Sequence, residues 1–74
     1  MKITVKLFAT LRNYGENICE MEVGDDATPL TVMHMMRIPS QEVSIVMING
    51  KRVNEQTSLK QADTVALFPP VGGG

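Results

Sequence analysis

The chain has 74 residues, with seven Lys and Arg against eight Asp and Glu, 43% hydrophobic side chains and a single cysteine, Cys19. This length indicates one small domain whose core is too limited to enclose a deep catalytic cleft. The balanced charge disfavours nucleic-acid binding, and no apolar run approaches the roughly 20 residues of a membrane span. One cysteine excludes an internal disulfide and a multi-cysteine zinc site, so we expect no bound metal and a reducing, cytoplasmic location.

Two alternating runs near the start of the sequence predict a pair of strands. Residues 2–8 place apolar side chains on one face, while Phe8 shares the other face with polar residues. Residues 18–23 alternate again after turn residues at 13–15, which predicts a hairpin with a long turn. The second run places Cys19 on its inward face, so we interpret this thiol as an inert core residue rather than a persulfide carrier.

A short helix is predicted next. It opens at residues 28–29 or 31–32, where a threonine can act as N-cap, and it ends near Arg37. Its predicted apolar stripe, spaced i, i+3 and i+4, consists of Val32, Met35 and Met36. We interpret these methionines as core residues that cover a sheet, rather than as ligands of a soft metal.

Three further strands are predicted in the second half of the chain. Residues 43–48 form a nearly continuous apolar run, which is typical of a strand with both faces at least partly covered. Asn49-Gly50 is a strong hairpin-turn signal, and residues 51–53 supply a short return strand. The last alternating run, residues 64–68, places Phe68 on its outward face.

This order of elements predicts an α+β fold in which a mixed ββαββ sheet packs on one helix. The order is typical of the β-grasp, or ubiquitin-like, arrangement. There the first and last strands lie parallel and adjacent in the centre of the sheet. Phe8 and Phe68 should therefore be neighbours on the face that the helix does not cover. Exposed aromatic side chains of this kind are typical of docking surfaces.

The last six residues differ from the rest of the chain. Pro69 and Pro70 end the last strand and favour a stiff, extended exit from the domain. A backbone with almost no side chains follows, which predicts a flexible tail able to enter a channel as narrow as a peptide: Val71, Gly72, Gly73 and Gly74. We therefore predict a β-grasp domain over 1–70 and a tail over 71–74, although a frayed end without function has the same composition.

The chain resembles, from end to end, the MoaD/ThiS family of ubiquitin-like sulfur carriers. The matching segments are Ile3-Thr4-Val5-Lys6-Leu7-Phe8-Ala9 with Leu11-Arg12, Thr31-Val32, Val46-Met47-Ile48-Asn49-Gly50-Lys51 and Leu67-Phe68-Pro69-Pro70-Val71-Gly72-Gly73-Gly74. The Pro-Pro pair resembles the molybdopterin-synthase small subunit more than the thiazole carrier. Three departures are the short, methionine-rich helix, the turn Ala62-Asp63, where the family usually has Gly-Asp, and Gly72, where small subunits often have alanine.

The resemblance implies a carrier whose catalytic residues belong to its partners. By this resemblance, we expect an adenylyltransferase of the ubiquitin-activating type (MoaB/MoeB/ThiF-like) to adenylate the carboxylate of Gly74, and a sulfur donor protein to convert it to a thiocarboxylate. The molybdopterin synthase large subunit is then expected to receive the tail. The resemblance also implies that ATP is used by the activating partner and that no cofactor is bound permanently. The residues implied in docking are Phe8, Phe68, Pro69 and Pro70, with Gly72 and Gly73 giving the tail its narrow backbone.

Three other functions fit the same sequence. The first is a protein modifier whose Gly74 forms isopeptide bonds with lysines of target proteins. The second is the sulfur carrier of thiazole synthesis, and the third is a plain interaction module. The sequence does not distinguish molybdenum from tungsten as the metal finally served.

Overall fold

The computed structural model describes residues 1–70, which form a five-stranded mixed sheet and one α-helix. The strands are β1 (Lys2–Leu7), β2 (Ile18–Glu22), β3 (Ile45–Ile48), β4 (Lys51–Val53) and β5 (Thr64–Phe68), and the helix is α1 (Pro29–Met36). Two short 3-10 helices cover Ala9–Tyr14 and Ser40–Glu42. The sheet order β2-β1-β5-β3-β4 confirms the predicted β-grasp architecture.

The centre of the sheet is the parallel pair of β1 and β5. Val5 lies opposite Val65 and Leu7 opposite Leu67, while β2 and β3 flank this pair in antiparallel orientation. Because successive side chains of a strand point to opposite faces, the pairing gathers the inward residues of both strands under the helix. Ile3, Val5 and Leu7 are each at most 1% exposed, which confirms the predicted inward face of the first strand.

The helix begins and ends where the sequence predicts. Thr28 is the N-cap: its hydroxyl oxygen accepts from the amide of Thr31 at 3.3 Å, and the hydroxyl oxygen of Thr31 accepts from the amide of Thr28 at 3.1 Å. Pro29 occupies the first turn, where its missing N–H costs no hydrogen bond. Arg37 ends the helix in the left-handed conformation, with φ of 58°.

The predicted apolar stripe of the helix is wrong at one position. Met35 is 52% exposed, whereas Met33 is fully buried. The residues of α1 that face the core are spaced i, i+3, i+4 and i+7: Pro29, Val32, Met33 and Met36. Because the buried stripe starts at Pro29 rather than at Val32, it passes through Met33 and leaves Met35 on the outer side.

The connection between β1 and β2 contains more structure than the predicted long turn. Residues 9–14 form a 3-10 helix, and the amide of Leu11 donates to the carbonyl of Phe8 at 3.1 Å. Leu11 is fully buried and extends the core beyond the strands. A six-residue segment with one buried side chain has no periodic pattern, so neither the helix nor its core residue was predicted.

The hairpin between β3 and β4 is attached to the start of β5 by side-chain hydrogen bonds. Asn49 and Gly50 both have positive φ, at 52° and 84°, as the predicted tight hairpin turn requires. The Asn49 amide nitrogen donates to Asp63 at 2.8 Å, and its oxygen accepts from the backbone amide of Thr64 at 2.9 Å. The second oxygen of Asp63 accepts from the amide of Lys60 at 2.8 Å, so this nearly buried carboxylate has partners on both oxygens.

Candidate functional site

Two phenylalanines stack where the central strands end. Phe68 is the last residue of β5, and Phe8 follows the last residue of β1. Their ring centroids are 4.3 Å apart with 14° between the ring planes, and the amide of Phe8 donates to the carbonyl of Leu67 at 3.2 Å. Both side chains are half-buried on the face of the sheet opposite the helix. The predicted neighbourhood of Phe8 and Phe68 is confirmed.

The apolar surface around this pair is wider than the sequence predicts. Ile45 lies opposite Phe68, and Met47 lies opposite Ala66, so these side chains share one face of the sheet. All of them are half-buried. We refer to this surface as the docking face, defined by Phe8, Ile45, Met47, Ala66 and Phe68. Ile45 and Met47 were missed because residues 45–48 are apolar on both faces of the strand, so the sequence alone does not show which face is inward.

Pro69 and Pro70 continue from the edge of the docking face. The carbonyl of Phe68 accepts from the amide of Ser44 at 2.7 Å, and after it Pro69 is half-buried and Pro70 exposed. The two prolines form one wall of an open cleft of about 370 Å³, whose other walls are Ala9, Thr10, Gln41 and Glu42. Pro69 and Pro70 therefore follow directly on the stacked aromatic pair.

A hydrogen bond between the two 3-10 helices stands beside the same cleft. The Tyr14 hydroxyl donates to the carboxylate of Glu42. This hydrogen bond, with partial burial and the negative charge of Glu42 as smaller causes, raises the pKa of Tyr14 above its ordinary value. Through this hydrogen bond, Tyr14 connects the two 3-10 helices.

The predicted reactive end lies outside the described residues. Gly72, Gly73 and Gly74 belong to residues 71–74, so the tail, its boundary with the domain and the carboxylate of Gly74 remain predictions. The described part of the chain holds no group of three His, Cys, Asp or Glu side chains arranged to bind a metal ion. No helix among residues 1–70 is both long enough and apolar enough to cross a membrane.

Cys19 lies on the side of the sheet away from the docking face. It is half-buried on β2 and packs against the core with Met21. Burial, with the negative charge of Glu16 as a smaller cause, raises the pKa of the Cys19 thiol. A thiol with a raised pKa forms less of the reactive thiolate at neutral pH. This environment agrees with the interpretation of Cys19 as a core thiol, while its reactivity remains a prediction.

The fold defines a small ubiquitin-like protein of the β-grasp class. The model of the ThiS family matches residues 5–74, which is nearly the whole chain. The chain therefore belongs to the ThiS family, a MoaD-related family of ubiquitin-like sulfur carriers and protein modifiers. None of the curated proteins matches the chain.

Solved structures with the same fold come from several organisms. SAMP1 of Haloferax volcanii is 26% identical, with 100% of both chains covered and a TM-score of 0.79. A Pyrococcus furiosus protein assigned as molybdopterin converting factor, subunit 1, is 26% identical over 95% of this chain and 98% of its own, with a TM-score of 0.73. A complex of subunits 1 and 2 of the molybdopterin-converting factor from Helicobacter pylori is similar in fold, at 22% identity, full coverage of both chains and a TM-score of 0.67.

Proposed function

We propose that the chain carries sulfur as a thiocarboxylate on Gly74 and delivers it in molybdopterin synthesis, as the small subunit of the synthase. The observation that carries this proposal is the stacked pair of Phe8 and Phe68 directly before Pro69-Pro70, in a ThiS-family chain. A domain with a partly exposed aromatic anchor directly before its last residues is suited to present that chain end to another protein.

The chemistry needs only a carboxylate from this chain. In the proposed sequence, the carboxylate of Gly74 attacks the α-phosphorus of ATP on an activating adenylyltransferase, and pyrophosphate leaves. A sulfide from the donor protein then attacks the acyl carbon, and AMP leaves with the electron pair of the broken bond. The product is an anionic sulfur nucleophile at neutral pH. We propose that the acid and base residues belong to the partners and that this chain is a co-substrate.

The number of residues after Phe68 limits how far the carboxylate of Gly74 can lie from the aromatic pair. An extended chain spans at most about 3.3–3.6 Å per residue, so the six residues after Phe68 place Gly74 no more than roughly 22 Å from it. A partner that binds the docking face therefore has its reacting atoms within that distance of the aromatic pair. We propose that Pro69 and Pro70 direct the chain toward this site, and that Gly72 and Gly73 let it enter a narrow channel.

The proposed partner is the larger synthase subunit. The Helicobacter pylori relative in fold is present as a complex of subunits 1 and 2 of the molybdopterin-converting factor. The Pyrococcus furiosus protein, at 26% identity, is assigned as subunit 1 of that factor. We extend this partnership to the present chain together with the ATP-using adenylyltransferase, the sulfur donor and a cytoplasmic location.

The second candidate function is protein modification. It is favoured by the similarity to SAMP1, which is a small archaeal modifier protein. A modifier uses the same adenylated Gly74, but a target lysine takes the place of the sulfide and an isopeptide bond forms. The two functions therefore share the tail and the activating partner, and they differ in the product.

Intact-mass measurement on the protein isolated from its native cells distinguishes the candidates. The sulfur-carrier proposal predicts the mass increase of one oxygen replaced by sulfur, located at Gly74, and the loss of this form when Gly73-Gly74 is deleted. Higher-mass conjugates that disappear with the same deletion support the modifier instead. If the deletion leaves every molybdopterin-dependent activity of the cell intact, the proposal is wrong.

A further inference from the structure

A second cleft opens at the side of the docking face, between the end of β1 and the start of β2. Its volume is about 280 Å³. The residues that line it are Lys6, Leu7, Phe8, Arg12, Asn17 and Ile18. Phe8 is shared with the aromatic pair, so a partner that covers this pair also reaches the cleft.

The charged side chains that line the cleft are all positive. Within the described part of the chain, its lining contains two cations, Lys6 and Arg12, and no carboxylate. The Arg12 Nε donates to the carbonyl of Leu7 at 3.3 Å, which orients the guanidinium at the cleft. The two terminal nitrogens are further donors, in the planar geometry that matches both oxygens of a carboxylate.

Apart from the polar side chain of Asn17, the remaining lining residues are apolar: Leu7, Phe8 and Ile18. Ile18 is 58% exposed, and it lies opposite Lys6 in the pairing of β1 with β2. Lys6 is only half exposed, because a lysine stem can lie along apolar surface while its ammonium remains in water. A ligand that fits this lining has an apolar body and a terminal carboxylate, as an acidic side chain beside an apolar one does.

We propose that this cleft receives a carboxylate side chain from the partner protein whose neighbouring apolar side chain covers Phe8. The inference rests on the docking role under the proposed function and adds the chemistry of the partner segment: an acidic residue next to an apolar one. Such a contact selects partners by charge, whereas the aromatic pair alone accepts any apolar surface of suitable shape.

The test is a titration of the full-length, ¹⁵N-labelled protein followed by amide NMR shifts. The probes are two N-acetylated dipeptide amides, phenylalanyl-glutamate and phenylalanyl-glutamine, which differ in charge at nearly equal size. We expect the glutamate peptide to bind at least about threefold more tightly, because its hydrogen bonds to Lys6 and Arg12 are charge-assisted. The largest shifts are expected at Phe8, Arg12 and Ile18, and the preference should weaken in high salt.

A double variant and a matched control assign the preference to the two cations. Lys6→Gln with Arg12→Gln should bind both peptides equally, whereas Lys51→Gln with Lys60→Gln, two exposed lysines outside this cleft, should keep the preference. If the double variant does not fold, the single variant Lys6→Gln replaces it, because it leaves the hydrogen bond of Arg12 in place. Lys6→Gln should reduce the preference for the glutamate peptide at least twofold.

Two results overturn the inference. The first is equal binding of both peptides by the unaltered protein. The second is the same pattern of shifts with inorganic phosphate, which means an unspecific anion site. Neither result affects the thiocarboxylate mass at Gly74. Failure of the cleft and failure of the sulfur-carrier proposal are therefore observed separately.

Discussion

Ala62 adopts a backbone conformation that usually belongs to glycine. Its φ is 69°, in the turn where related carriers usually have Gly-Asp. A Cβ makes the left-handed region unfavourable by roughly 1–2 kcal/mol, so this residue is held there by its surroundings. Its amide donates to the carbonyl of Lys2 at 2.8 Å, and the next residue is the nearly buried Asp63.

Replacing this alanine by glycine should stabilise the domain. For Ala62→Gly we expect a gain of about 0.5–1 kcal/mol, because the relief of strain exceeds the extra entropy of an unfolded glycine. The melting temperature should rise by roughly 2–8 °C in calorimetry. The matched control is Ala66→Gly, in the interior of β5, which should lower the melting temperature. A lower value for Ala62→Gly contradicts the prediction.

Phe68→Ala separates docking from folding. The side chain is half-buried on the docking face and lies outside the main core, so truncation should weaken binding to the larger synthase subunit by about tenfold or more in calorimetric titration. Loss of the aromatic stack should cost about 0.5–1.5 kcal/mol in addition to the burial of a half-exposed ring, which together stay below the roughly 3–5 kcal/mol of a core Phe→Ala substitution. Met35→Ala, on the opposite side of the molecule, is the control and should bind normally. A large fall in melting temperature with unchanged binding contradicts the docking role.

The raised pKa of Cys19 predicts a slow thiol. At a fixed pH a higher pKa leaves less thiolate, so alkylation by iodoacetamide at pH 7 should be several-fold slower in the folded protein than in the same protein unfolded by urea. The folded rate should continue to increase at pH values where the unfolded thiol is already ionised. Equal rates at pH 7 in both states contradict the assignment of Cys19 as an inert core thiol.

At the scale of elements, the strands were predictable and the helix face was not fully so. A strand has a period of two that its own residues reveal, and the inward residues of β1 and β5 are as predicted. The face of α1 depends on where the helix starts and how it lies on the sheet. The stripe read from Val32 therefore wrongly included Met35 and omitted Met33.

Some residues of the candidate site could likewise be predicted from the sequence, whereas others could not. The neighbourhood of Phe8 and Phe68 follows from the parallel pairing that a β-grasp order implies, so it could be predicted from two outward positions. The contribution of Ile45 depends on the register between β3 and β5, which a run apolar on both sides does not reveal. The position of Arg12 depends on a 3-10 helix that has no pattern of its own.

The attachment of the β3–β4 hairpin to β5 depends on one carboxylate. Asp63→Ala removes the acceptor for Lys60 and Asn49, and leaves a partly buried amide unpaired. We expect the free energy of unfolding, measured in urea, to fall by about 1–3 kcal/mol. Among the amides of the sheet, those of the β3–β4 hairpin should show the largest increase in hydrogen-exchange rate. Asp25→Ala, an exposed position without such contacts, should change stability by less than about 0.5 kcal/mol. Equal stability of the two variants contradicts this role of Asp63.

For the molecule as a whole, stability and function should depend on different parts of the chain. The buried core is drawn from Ile3 to Leu67. The free energy of unfolding of a protein ending at Pro70 should therefore stay within about 0.5 kcal/mol of that of the full chain, with little change in melting temperature. The same truncated protein should show no thiocarboxylate mass. Calorimetry and mass spectrometry measure the two properties independently. A clear fall in melting temperature means that the division into a domain over 1–70 and a tail over 71–74 is wrong.

The parallel pairing of β1 with β5 also has a kinetic consequence. Thr4 lies beside Thr64, so the centre of the sheet is closed by residues from nearly opposite ends of the described chain. Contacts of such large sequence separation form slowly, because the entropy of closing the loop is lost before any favourable contact is gained. A chain truncated before β5 lacks the strand that fills the middle of its sheet. The aromatic pair therefore forms only after β5 has paired with β1. Incompletely folded chains lack the docking face.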